Sequence, residues 1–151
     1  AIDADEGPDA AQRRWLLETI EAGRADPNIA FVVAFVHKGP FSSNPHRTGN
    51  AGLRHLLPKL QAAGLDLLLS GHDHFYERGV SRGGLPYMVV GSGGAPLYPT
   101  DGPGNRGDYK AIVSRSIHAF VRMRARPDLL SGCATDISGK AFDCFEIPRQ
   151  K

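Results

Sequence analysis

The sequence predicts an α/β fold: buried strands joined by crossover helices, followed by an antiparallel strand meander. Continuous apolar, β-branched runs alternate with stretches of helical periodicity, the pattern of a layered sheet. The last third of the chain changes to short alternating runs broken by turn residues. Length and composition suit a single domain over residues 1–151, with 41% hydrophobic and 23% charged residues, enough to bury a core of ordinary size.

Taken in order, "PDAAQRRWLLETIEAG" (8–23) predicts a helix. Pro8 and Asp9 open it, Trp15, Leu16 and Ile20 supply the apolar side, and Gly23 is the expected stop. "IAFVVAFVH" (29–37) predicts a strand buried on both faces. "AGLRHLLPKLQAAG" (51–64) predicts a second helix with Leu53, Leu56, Leu57 and Leu60 inward, bent or broken near Pro58. "LDLLLSG" (65–71) and "LPYMVVGSGG" (85–94) are two further buried strands, the latter ending in a glycine-rich turn. Residues 96–110 are expected to form a long surface loop. "IHAFVRMRA", "LLSGCAT" and "AFDCFEI" then alternate as a meander. No internal repeat or low-complexity segment interrupts this order.

Several function classes lack their signatures. The net charge is +2 with both signs interspersed, so there is no electrostatic footprint for nucleic acid or an anionic membrane. The arginines of "VRMRARP" (121–127) recur at every second position, which marks the wet face of a strand. No apolar run approaches the roughly 18 residues of a membrane span. The chain opens at "AIDADEGP" without a methionine, as a processed or truncated product would.

Cys133 and Cys144 flank "ATDISGKAFD". A two-residue turn at Ser138-Gly139 would set them opposite each other on adjacent strands, within reach of a disulfide. A three-residue loop with a bulge would shift the register and spoil the pairing. The sequence leaves both open; the spacing excludes a zinc knuckle.

The chemistry concentrates at two strand ends. In layered α/β sheets ligands bind beyond the carboxyl ends of the strands. His37 ends one run, and His72 and His74 follow the next in "LLLSGHDHFYERG". Three imidazoles from adjacent strand ends suit a transition metal.

At this point the sequence resembles the calcineurin-like metallophosphoesterases. "SGHDHFYERG" resembles their Gly-His-x-His signature, and the trailing "YER" is nearest the purple acid phosphatase branch. "VVAFVHKGPFSS", "QRRWLLETI" and "LPYMVVGSGGAPLY" resemble the strand, helix and glycine turn around it, and "FVRMRARPDLLSGCATDISGKAFDCFEI" the closing strands. The resemblance spans essentially the whole chain. It implies the C-terminal half of a four-layer αββα sandwich that hydrolyses phosphate esters at a dinuclear centre of Fe, Zn or Mn ions. His37 and His72 would bind one ion and His74 the other. His46, in "NPHRTGN", falls where the family keeps histidines near substrate, as a candidate to orient phosphate or protonate the leaving group; a merely solvated loop histidine is the alternative. Tyr76, Glu77 and Arg78 would be supports that fix the histidine loop, with Arg78 open to a second reading as a surface ion pair. Asp73 would point away from the metals. His55 and His118 read as structural. The resemblance and an oxidised cysteine pair would both accord with extracellular or periplasmic placement.

The family's anionic ligands are missing. Two dications 3.5 Å apart repel by roughly 19 kcal/mol at an effective dielectric near 20, and bridging anions, not neutral imidazoles, offset that. The Asp-x-His, Gly-Asp and Gly-Asn-His motifs that supply them from earlier in the chain do not precede His37. "GNAG" (49–52) has no following histidine, and Asp3 and Asp5 fall where the family has a strand rather than ligands. The chain alone is therefore expected to bind at most one metal, weakly, and to be inactive. The carboxylate and asparagine ligands would come from an N-terminal half or a companion chain. An isolated half should also leave an apolar sheet face uncovered. The alternative is a non-catalytic metal-binding or interaction module derived from such an enzyme.

Overall fold

The computed structural model describes residues 7–150, so Asp3 and Asp5 lie outside the described residues. Helix α1 (Ala10–Ala25) is capped by Asp9, whose side chain accepts from the Gln12 backbone N–H. Leu16 and Ile20 are buried, but Trp15 is 49% exposed. At 100° per residue Trp15 points 100–140° away from those two, outside the narrow face that α1 presents. Gly23 does not stop the helix, which runs on to Ala25 before Asp26 and Pro27. A Cβ on Gly23 would lie 3.2 Å from Val32, so the glycine serves the close approach of the chain entering the sheet.

Strand β1 (Val33–Lys38) is followed by α2 (Ala51–Ala63), which Gly64 ends in the left-handed conformation. All four inward leucines of α2 are buried, and the helix carries the exposed Pro58 without a break. Strands β2 (Leu67–Gly71), β3 (Tyr76–Ser81), β4 (Pro86–Val90), β5 (Gly104–Asn105) and β6 (Tyr109–Arg115) complete a six-stranded sheet. Its order is β1-β2-β4-β3-β6-β5, parallel through β1, β2 and β4 and antiparallel beyond. Three strands were not legible as such: β3, within the histidine-loop motif, the short β5, and β6. The 96–110 segment contains β5 and the start of β6 rather than surface loop throughout.

The meander forms a second sheet, β7 (Ala119–Ala125), β8 (Leu129–Asp136) and β9 (Ala141–Pro148). One face of the large sheet buries Ala34, Val36, Leu68 and Val89 under Leu16, Ile20 and the α2 leucines. The other buries Leu67 and Met88 against Leu130 and Phe145 of the second sheet. The described residues thus build three layers: helices, six strands, three strands. Buried Asp66 fastens the helix layer to the large sheet by pairing with Arg24 of α1 at 2.7 Å and accepting from the Val32 backbone N–H.

β1 is an edge strand and not buried on both faces. Phe35 is 60% exposed, although it lies on the same face as Val33, which packs toward the second sheet. The uncovered sheet face expected of an isolated half is not found: the helices cover one face of the large sheet and the second sheet the other, and only Phe35 at this edge is left out.

The disulfide forms, between Cys133 of β8 and Cys144 of β9. The two-residue turn does not. Asp136 and Lys140 close a three-residue loop, Ile137–Gly139, which by itself would pair Cys133 with Asp143. An irregularity between Ala134 and Thr135 shifts the register by one more residue and restores Cys133 opposite Cys144. The three-residue loop with a bulge, the combination expected to spoil the pairing, preserves it, because the two shifts add up to the register of a two-residue turn.

Candidate metal and phosphate site

β1 and β2 lie side by side in parallel, so His37 and His72 emerge at the same edge of the sheet. The register jumps between Val36 and Lys38, which leaves His37 as the unpaired bulge residue of β1. Bulges re-aim a side chain next to a site. His72 has φ +63°, and it is the only described non-glycine residue with a positive φ. A branchless turn residue would adopt that conformation more cheaply; here it turns the imidazole back toward β1. Gly91 permits the turn, since a Cβ there would lie 2.2 Å from the Asp73 carbonyl oxygen.

The result is that His72 Nδ1 and His37 Nε2 approach to 3.2 Å. Two imidazole nitrogens on one tetrahedral ion, each about 2.0–2.1 Å from it, stand about 3.4 Å apart. The pair therefore fits two corners of one metal's coordination shell. His74 is held elsewhere. Its Nδ1 donates to the Pro96 carbonyl at 2.9 Å and its ring stacks on Tyr98, centroids 4.1 Å apart. That bond leaves Nε2 with its lone pair, the state in which a histidine ligates. Among the described residues no three His, Cys, Asp or Glu side chains converge on one point. A dinuclear centre does not fit the described residues alone.

His46 and Arg47 come from the loop between β1 and α2. That loop closes where the Asn50 backbone N–H donates to the Gly39 carbonyl at 2.8 Å. Gly49, at φ +73°, permits the closure, because a Cβ there would lie 2.4 Å from the Pro40 carbonyl. Asn44 accepts from the His46 backbone N–H and donates to the Pro99 carbonyl. An exposed cavity of about 240 Å³ lies between Lys38, His46, Arg47, Thr48, His72 and Asp73. His46 and His72 thus share one cavity; His37 borders it through His72, and His74 does not line it. Asp73 does not turn away, but lines the same space, buried, 3.5 Å from Arg47. A larger concavity of about 770 Å³ around Arg122, Arg124 and the disulfide lies on the second sheet and holds none of these groups.

Arg47 and Tyr98 were missed in the sequence. Arg47 NH1 lies 2.8 Å from His72 Nε2, and its guanidinium sits 4.6 Å above the Tyr98 ring. The signal available was the adjacent cation in "NPHRTGN". Burial lowers the His72 pKa, and Arg47 and His37 add to that against the opposing pull of Asp73, which favours the neutral ring.

The support residues are buried rather than superficial. Arg78 donates twice to Asp143 of β9, at 2.7 and 2.8 Å, and the fully buried Tyr76 hydroxyl donates to the same carboxylate at 2.7 Å. Arg78 is no surface ion pair. Burial alone would raise the Asp143 pKa, but the bonds from Arg78 and Tyr76 outweigh it and hold the carboxyl low. Glu77, on the opposite face of β3, is fully buried and accepts from the Tyr87 hydroxyl at 2.7 Å. Burial pushes its pKa up, opposed by the Ser43, Tyr87 and Ser114 hydroxyls. His118 donates from Nδ1 to the Ser92 carbonyl, and His55 is exposed on α2; neither faces the cavity.

Comparison of the whole fold with solved structures decides its kind. A purple acid phosphatase from yellow lupin (Lupinus luteus) seeds superposes with a TM-score of 0.75 over 95% of this chain and 30% of its own, at 22% identity. This is a metallophosphoesterase-like fold. GAP50, the anchor in the inner membrane complex of Plasmodium, superposes at 0.67 over 93% of this chain and 44% of its own, at 16% identity. By sequence, an uncharacterized protein of Mycobacterium tuberculosis, matched in two strains, is 36% identical over 69 residues, which are 44% of this chain and 13% of that protein. No protein-family model matches the chain. The chain thus spans less than half the length of each of these proteins.

Proposed function

We propose that this chain supplies the histidine half of a dinuclear phosphoesterase site and that phosphate-ester hydrolysis requires further ligands. The observation that carries this reading is the 3.2 Å approach of His37 Nε2 to His72 Nδ1, reached through a bulge and a left-handed histidine. The bulge re-aims one histidine and the left-handed conformation the other, and both arrive at the spacing that one metal requires. His37 and His72 hold one ion, and His74 Nε2 offers a lone pair to the second. When bound, the metals supply Lewis-acid polarisation of the phosphoryl oxygens. His46, beside Lys38 and Arg47 in the shared cavity, orients the phosphate or gives a proton to the leaving oxygen. The carboxylate ligands come from a segment outside this chain, which also covers Phe35 at the edge of β1.

The test is hydrolysis of p-nitrophenyl phosphate with Zn, Mn or Fe added. The purified 151-residue chain should show no robust metal-dependent turnover. A gene product extended upstream by roughly a further domain's worth of residues should show it, and should lose it on His37→Ala. Robust turnover by the isolated chain would overturn the reading.

A second reading is a non-catalytic interaction module. It is favoured by the lack of three converging metal-binding side chains among the described residues and by the structural likeness to a protein described as an anchor. It predicts an intact gene product that lacks both the Gly-Asp and Gly-Asn-His motifs.

A further inference from the structure

Arg47 stands between two partners. Its NH1 lies 2.8 Å from His72 Nε2 and 3.5 Å from Asp73 Oδ1. A guanidinium has donors only, so His72 Nε2 must accept, and the single ring proton sits on Nδ1. Nδ1–H then donates to His37 Nε2, 3.2 Å away. In this arrangement neither nitrogen of His72 is open to a metal. One accepts from Arg47 and the other carries the proton.

A metal at Nδ1 reverses both demands. The proton leaves Nδ1 and, in the neutral ligand, sits on Nε2 instead. Two N–H donors cannot share a contact of hydrogen-bond length, so Arg47 must leave His72. A second seat is ready for it. Asp73 Oδ1 is buried and has no hydrogen-bond partner, and buried carboxylate oxygens are rarely left so. NH1 is within an ångström of bonding to it. The Tyr98 ring beneath the guanidinium supports it in either position.

We propose that Arg47 is a positioning residue that exchanges His72 for Asp73 when metal enters, so that Arg47 and the metal compete for His72. The ring proton stays on His72 and changes nitrogen; no net charge moves. This rests on the reading of His37 and His72 as ligands. It adds that the metal-free protein is held in a closed state by its own arginine, with Asp73 as the acceptor that makes opening cheap.

The probe is Co(II), titrated into the full chain and followed by its visible absorption and by calorimetry. Arg47→Met, which removes the competing donor, should bind Co(II) about tenfold more tightly, the order of one charge-assisted hydrogen bond. Asp73→Asn, which weakens the second seat, should bind several-fold more weakly. His37→Ala should abolish uptake. Nitrogen-15 NMR of the metal-free wild type should show His72 protonated at Nδ1 and accepting at Nε2, with the two exchanged on adding Zn(II). Arg47→Met with unchanged or weaker affinity overturns the competition while leaving the ligand reading in place. A wild type protonated at Nε2 without metal overturns it too, whether or not the variants fold. No Co(II) uptake by the wild type, or uptake that His37→Ala leaves unaltered, overturns the ligand reading and the competition with it.

Discussion

Replacing Asp143 by alanine tests whether the histidine loop is tied to the second sheet by a buried hub or by a dispensable surface pair. Asp143 accepts three hydrogen bonds, two from Arg78 and one from Tyr76. Its side chain is 6% exposed and that of Arg78 is 18% exposed. Breaking a buried ion pair by removing one partner costs about 3–5 kcal/mol. Arg78 retains some contact with water, which moves its share toward the lower end. The Tyr76 hydroxyl, fully buried, loses its acceptor, which adds about 1–3 kcal/mol, not fully additive. The expected loss is about 4 kcal/mol, or roughly 8–16 °C in Tm for a domain of this length. Urea unfolding at pH 7 of D143A, R78M and the double variant measures it. The double variant should lose little more than D143A, because the stranded guanidinium is gone. An exposed pair would give no more than about 1 kcal/mol, so a loss that small for D143A would refute the hub. The pH dependence has a definite sign. The Asp143 carboxyl is held below its ordinary value, so its contribution is present above the usual carboxylate range and is lost as pH falls below that range.

Three further outcomes are expected. Reducing the Cys133–Cys144 bridge, which spans a sequence separation of 11, should cost roughly 2.8 kcal/mol by loop-closure entropy; denaturation midpoints with and without reductant, unchanged within error, would contradict it. Glu77 has its pKa raised by burial, so its favourable contribution is complete below the unfolded pKa and is lost as pH rises through the folded one. Glu77→Gln should remove that loss, and its Tm should gain on the wild type as pH rises above about 4.5; parallel Tm curves would show the carboxyl is not titrating in the fold. Gly91→Ala places a methyl 2.2 Å from the Asp73 carbonyl, a backbone atom that cannot swing away. It should cost on the order of 2 kcal/mol or more and disturb His72 and His74 imidazole NMR shifts, whereas unaltered shifts would mean that the loop tolerates the displacement.

The sequence by itself determined the elements whose signal is local. The α2 leucines, the buried β2 and β4 runs and the alternating meander each carry their period within a few residues. The same holds for His37 and His72 as strand-end residues, because strand ends follow from where apolar runs stop. Its misreadings share one cause. Burial of Trp15 and Phe35 depends on what lies opposite, and an edge strand reads like a central one when both are apolar. β3 was hidden because its charged Glu77 and Arg78 are buried only by virtue of Tyr87 and Asp143 on other strands. The disulfide register needed the sum of a loop and a bulge, two irregularities that only the partner strand reveals.

Tertiary structure alone decided the site. It set His72 Nδ1 against His37 Nε2 across 35 residues of sequence, and it brought Arg47 onto His72 and Asp73. It also made Arg78 a buried partner of Asp143, 65 residues away. Local periodicity fixes which face a side chain takes, but hydrogen-bond partners are set by distances between elements, and those exist only once the layers have packed.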